Sequence, residues 1–140
     1  MFTLSSKQVE ELFAHARECV PNECCGCIGG VIEKAKNIYR LRNVAENPLN
    51  TYSAAVEDLF VTQKLMRERG EELIAIYHSH PRVSNPRPSE TDVALAYYPS
   101  AVYLIIGFDG DAPVLKAFRI YESEMRWEEI PYRVLEENDF

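Results

Sequence analysis

The run Leu73-Ile74-Ala75-Ile76-Tyr77 passes straight into His78-Ser79-His80, and no other stretch constrains the fold as tightly. Five consecutive apolar residues without a helical period read as a strand buried on both faces. Such a strand needs a packed layer above it and another below. At its end His78 and His80 project from one face, because strand side chains alternate with a period of two, and Ser79 points to the other. Both imidazoles can then reach one metal ion. They stand where an α/β sheet carries its sites, and they are two of only three histidines. Alone, the pair is equally compatible with a solvated strand end.

The remaining pattern supplies the layers. Ser5 precedes Gln8 by three residues, a capping-box spacing, and Val9, Leu12, Phe13, Ala16 and Cys19 recur at helical intervals up to a stop before Pro21. Residues 24–33 and 36–44 read as a hairpin turning at Glu33–Ala35. A turn-rich loop over Ala45–Thr51 leads to a second helix marked by Val56, Leu59, Phe60 and Met66, which closes at Gly70. After Pro81, Pro86 and Pro88, a third helix is predicted from Ser89 through Tyr98. Val102–Phe108 and Val114–Tyr121 read as strands joined across Asp109-Gly110-Asp111, and Met125–Val134 as a last strand despite Pro131. Three helices flanking strands imply an α/β sandwich, and 140 residues predict a single domain over residues 1–140.

Composition narrows the function. With 46% hydrophobic and 26% charged residues the chain can bury a core and fold alone, and its net charge of −7 argues against binding the phosphate backbone, so no nucleic-acid partner is expected. No apolar run is long enough to span a bilayer and the first residues lack a signal-peptide pattern, so no membrane association and a cytoplasmic location are expected. Cys19, Cys24, Cys25 and Cys27 fall within nine residues. Such crowding disfavours loop-closing disulfides; the four are read as small apolar residues packed in a core, with a thiolate metal site of poor geometry as the alternative.

Ser89-Glu90-Thr91-Asp92 has two readings. Ser89 as an N-cap with an acidic residue at N3 is an ordinary helix start. The stiff, proline-rich segment before it also returns the Asp92 carboxylate to the strand end beside the histidines. Two His and one Asp leave a tetrahedral zinc with one open position, the pattern of a catalytic site, which then needs a base. Glu23, between the first helix and an apolar strand, supplies a carboxylate for that role; a solvated loop glutamate is the alternative.

Glu23, then His78-Ser79-His80-Pro81, then Ser89-x-x-Asp92 resembles the JAMM (MPN-plus) metalloprotease signature, its separated elements in the right order. The likeness covers roughly residues 5–120 and extends to Pro21-x-Glu23-x-Cys25-Gly26, Tyr77 and Arg87-Pro88, in the manner of stand-alone prokaryotic members. One departure is the loop between His80 and Ser89, eight residues where the family usually has seven. The resemblance implies a mixed, mainly antiparallel sheet flanked by helices, a cytidine-deaminase-like sandwich. It implies one zinc per chain held by His78, His80 and Asp92, water activated by that zinc with Glu23 as general base, and Ser89 at the oxyanion. It further implies a peptidase or isopeptidase that cuts after the C-terminal Gly-Gly of a ubiquitin-like sulfur-carrier protein, and it is compatible with a homodimer; because two glycines offer main chain and no side chains, addition of the tail to an edge strand is the binding mode expected. The rival functions are a non-catalytic MPN scaffold and a zinc hydrolase of a small-molecule amide. A zinc deaminase is excluded, since its His-x-Glu and Pro-Cys-x-x-Cys are absent.

Overall fold

A computed structural model describes residues 1–137; the last three residues of the domain expected over 1–140, Asn138–Phe140, lie outside the described residues. The elements are β1 (Thr3–Ser5), α1 (Ser6–Cys19), β2 (Cys25–Val31), β3 (Lys34–Leu41), α2 (Val56–Glu68), β4 (Glu72–Ser79), α3 (Glu90–Ala94), β5 (Val102–Asp109), β6 (Ala112–Tyr121), β7 (Arg126–Ile130) and β8 (Arg133–Leu135). They form one eight-stranded sheet in the order β7-β6-β5-β4-β2-β3-β1-β8. Pairings β2–β3, β2–β4, β5–β6 and β6–β7 are antiparallel, whereas β4–β5, β1–β3 and β1–β8 are parallel. The α/β class and the mixed, mainly antiparallel sheet are thus as the sequence implied.

The sheet is covered on both faces, which is why β4 reads as continuously apolar. On one side Leu12 and Ala16 of α1 pack with Ile28, Ala75, Tyr77, Leu104 and Ile106. On the other, Met66 of α2 packs with Cys25, Cys27, Tyr39 and Leu41, and Val93 of α3 with Tyr103, Ile105 and Phe118. The cysteines are free thiols, three of them buried in these clusters. Burial pushes Cys24, Cys25 and Cys27 up to about 12, as it does for thiols packed in a core. Among the described residues no helix is long and apolar enough to cross a membrane.

Four details depart from the sequence reading. The strand expected over Met125–Val134 is two strands, because Pro131 cannot donate to a ladder; β7 pairs with β6, and β8 crosses to β1 at the opposite end of the sheet. Only Pro131 and Tyr132 join the two edges, so the sheet curls strongly, and Arg133 N–H donates to the Phe2 carbonyl at 2.9 Å. The third helix stops at Ala94 instead of Tyr98; Pro99 disfavours the helical region for Tyr98 alone, and the chain leaves the helix earlier, at Leu95. The hairpin turns at Ile32-Glu33, ahead of the expected position, with Ile32 at φ 60. β1 was not anticipated: three residues carry too little pattern to read, although Ser5 caps α1 with the reciprocal Gln8 contact expected.

Candidate metal centre

The end of β4 lies in the middle of the sheet, flanked by β2 and β5. Register places Cys25 opposite His78, and Cys24 exchanges bonds with Ser79: Cys24 N–H donates to Ser79 Oγ at 2.8 Å and Ser79 N–H to the Cys24 carbonyl at 3.2 Å. Continued one step, that register brings Glu23 opposite His80. The alternation that sends Ser79 to the α1 face therefore has a use, since the residue between the histidines clamps the one after Glu23.

Asp92 arrives by a different route. From His80 the chain is stitched to β5: His80 N–H donates to the Ile106 carbonyl at 2.8 Å and Phe108 N–H to that of Val83 at 2.9 Å. The fully buried Pro86 sits against Gly107, where an added Cβ would lie 2.3 Å from the Val83 carbonyl oxygen and 2.9 Å from Pro86 Cδ. Only glycine permits this approach, and the eight-residue loop is seated by it with its extra residue absorbed. Ser89 then caps α3, its Oγ accepting from Asp92 N–H at 3.0 Å while its own N–H donates to Asp92 Oδ2 at 2.9 Å. The cap reading and the site reading of this segment hold together, because the cap aims Asp92 back toward β4.

Three donor atoms converge there. His78 Nε2 is 3.1 Å from Asp92 Oδ2, His80 Nε2 is 3.2 Å from the same oxygen, and the two Nε2 atoms are 3.1 Å apart. Ligands about 2.0 Å from a tetrahedral zinc stand about 3.3 Å from one another, so this near-equilateral triangle of two nitrogens and one carboxylate oxygen fits the ion in spacing and in donor chemistry. The Glu23 carboxylate forms a second triad with the same histidines, one of its oxygens and one ring nitrogen of each histidine all lying within 4.8 Å of one another.

The electrostatics follow from burial and these contacts. Burial drives the Asp92 carboxyl up, but the hydrogen bonds with His78 and His80 outweigh it and hold the group well below the usual carboxylate range. Burial lowers His80, and its bond with Asp92 more than restores it, leaving it raised. Glu23, 5% exposed, is pushed up by burial, pulled down by His80 and raised by Asp92, to about 7.

All five residues singled out in the sequence, Glu23, His78, His80, Ser89 and Asp92, therefore meet at one place. One neighbour was missed: Tyr52, whose ring stacks on His78 with centroids 4.7 Å apart and planes 27° apart. No local pattern signals it, since it comes from the loop before α2 and only the fold lays it on β4. Among the described residues, His78 Nδ1 is buried with no hydrogen-bond partner, and the stacked Tyr52 ring is what packs against this imidazole.

A three-donor pocket at the centre of a mixed sheet, faced by a buried glutamate, is the arrangement of a metal-dependent hydrolase. Comparison with known proteins gives the family: the model for prokaryotic homologues of the JAB domain matches residues 5–121, and the chain belongs to that family. It is 32% identical over 115 residues to a desampylase of Haloferax volcanii, covering 77% of this chain and 81% of the relative. It is 30% identical over 132 residues to the CysO-cysteine peptidase of Mycobacterium tuberculosis, covering 92% and 88%. Among solved structures, a solution structure of a Desulfitobacterium hafniense protein superposes with a TM-score of 0.85 at 36% identity, covering 98% of this chain and 94% of the other.

Proposed function

We propose that this chain, acting as a single cytoplasmic domain over residues 1–140, hydrolyses the peptide or isopeptide bond after the C-terminal Gly-Gly of a ubiquitin-like sulfur-carrier protein, releasing a cysteine, a short extension or a conjugated lysine. The chain is a metallopeptidase of the JAMM type. The observation that carries the finer reading is the triangle of His78, His80 and Asp92 donor atoms with a Glu23 carboxylate oxygen within 4.8 Å of the histidine nitrogens. Relatives named for desampylation and for cleavage of CysO-cysteine support the substrate class.

His78, His80 and Asp92 would hold one zinc. When bound, the ion supplies a Lewis acid that acidifies water and polarises a carbonyl. Glu23 takes the proton from the attacking water and delivers it to the departing amine, which needs a carboxyl that changes state without large cost. Its burial meets that need. Ser89 Oγ spends a lone pair on the Asp92 amide and keeps its one hydrogen, so it can donate to oxygen charge that develops during attack. Two glycines before the scissile bond suit a narrow approach, since they bring no side chains to a centre walled by Tyr52 and the loop after β4.

Zinc per chain, by elemental mass spectrometry, together with turnover of Gly-Gly-extended carriers tests this. One zinc in the wild type, largely lost in Asp92→Ala, and turnover abolished in Glu23→Gln with zinc retained are expected. Wild-type protein loaded with zinc yet as inert as Glu23→Gln toward several carriers would sink the substrate class.

A further inference from the structure

Glu23 lies in a turn after α1, outside any helix or strand, yet its carboxylate has to keep a fixed distance from two histidines on β4. Its backbone is gripped from the segment between β3 and α2. Glu23 N–H donates to the Pro48 carbonyl at 2.8 Å, and the Glu23 carbonyl accepts from Asn43 Nδ2 at 2.9 Å. Asn43 does more than this one bond. The same Nδ2 donates to the Thr51 carbonyl at 3.0 Å, and Oδ1 accepts from Ala45 N–H and Ser53 N–H, each at 3.1 Å. Two donor hydrogens and two lone pairs are all used, so the amide has one orientation and no spare capacity. Thr51 and Ser53 flank Tyr52, the ring stacked on His78.

We propose that Asn43 is the positioning residue of the centre: its side-chain amide ties the backbone of Glu23 to the two residues that hold Tyr52 over His78. The inference rests on the hydrolytic reading of the site. Glu23 and the ring against His78 come from loops that do not otherwise share a sheet, and Asn43 makes them one body. The donor half of the amide reaches Glu23 and Thr51, and the acceptor half shapes the turn through Ala45 and Ser53. The two halves can be separated by substitution. Asn43→Asp keeps the acceptors and replaces the donor with an oxygen facing two carbonyls, while Asn43→Ala removes both. Displacing a reacting group by about 1 Å can cost about a hundredfold in rate, so the effect belongs in kcat.

The test compares wild type, Asn43→Asp, Asn43→Ala and Glu23→Gln for zinc per chain, for kcat and KM on a Gly-Gly-extended carrier, and for exchange of the Glu23 backbone amide. Zinc content at the wild-type level, KM within about twofold and kcat down by about 10- to 100-fold in both Asn43 variants are expected, the range seen when supporting residues around metal sites are removed. Faster exchange at Glu23 is expected alongside. Loss of kcat confined to Asn43→Ala overturns the inference, because the tie to Glu23 is severed in Asn43→Asp too; so does a fall in zinc that matches the fall in kcat. If wild-type protein turns over no carrier, the substrate reading fails on its own, and Glu23 exchange alone decides: quickened in Asn43→Asp it upholds the tie, unchanged it removes it.

Discussion

His15 gives the sharpest quantitative expectation outside the centre. It lies on α1, 7% exposed, with Nδ1 2.8 Å from the Tyr77 hydroxyl and the two rings edge-on at 5.7 Å. Burial, and then the Arg40 charge, push its pKa from 6.5 down to about 4, against a smaller opposing pull from Glu18. Tyr77 is itself driven well up by burial, so it stays a hydroxyl and donates to a neutral imidazole. A folded pKa below the unfolded one means that the unfolded chain binds the extra proton. His15 therefore contributes stability that is complete above about pH 6.5 and drains away as the pH falls toward 4. At about 1.4 kcal/mol per pH unit the gap is worth roughly 3 kcal/mol in full, and roughly 2 kcal/mol by pH 5. Arg40 is partly exposed, so salt screens its share and the lower figure is the safer one. The assay is urea unfolding of wild type and His15→Gln, both zinc-loaded, at pH 8, 7, 6 and 5. The centre and the surface carboxylates titrate alike in both proteins and cancel in the difference. Wild type should lose about 2 kcal/mol relative to His15→Gln between pH 8 and pH 5. A difference that stays constant within about 0.5 kcal/mol across that range would refute the assignment of a depressed pKa to a buried, neutral His15.

Gly107→Ala puts a methyl into the Val83 carbonyl and Pro86, so the loop must shift; a loss of about 1–3 kcal/mol in urea unfolding together with weakened zinc binding is expected, and a variant with wild-type zinc affinity would show that the loop does not set Asp92. Gly26→Ala meets the Tyr77 ring at 2.3 Å on the face away from the metal, so stability should fall by a similar amount, about 1–3 kcal/mol, with kcat per folded molecule nearly unchanged. Iodoacetamide at pH 7.5 should modify Cys19 alone in the native protein and all four cysteines after denaturation, read by intact mass; rapid native labelling at Cys24, Cys25 or Cys27 would contradict their burial. Ser89→Ala removes a cap worth about 1 kcal/mol and the hydroxyl together, whereas Ser89→Asn restores the cap alone; kcat should stay low in both while the melting temperature recovers in the second.

Much of this molecule is legible in one dimension because its physics is local. The Ser5 and Ser89 caps, the period of α1, the doubly buried run of β4 and the alternation that sends His78 and His80 one way and Ser79 the other each depend on neighbours within a few residues. The signature of Glu23, His78, His80, Ser89 and Asp92 is legible for the same reason, each element being a short motif. Where the reading slipped, a distant partner or a proline intervened: Pro131 divides the last strand, and β1 exists only because β3 and β8 pair with it.

The sequence alone determined which side chains are present, the faces they leave by, and the donor set they can offer a metal. Only the tertiary structure decided that they meet. Glu23 is 55 residues from His78 and reaches it through the β2–β4 register, Asp92 through a loop seated on Gly107, and Tyr52 through a strap that pairs with no strand of the sheet. Asn43 shows the division most clearly. In the chain it is an ordinary asparagine at the end of a strand, and its four hydrogen bonds exist only once residues 23, 45, 51 and 53 have been brought around it. Side-chain alternation and capping are set by local dihedral preferences; the closing of a site is set by long-range pairing, which no window of sequence contains.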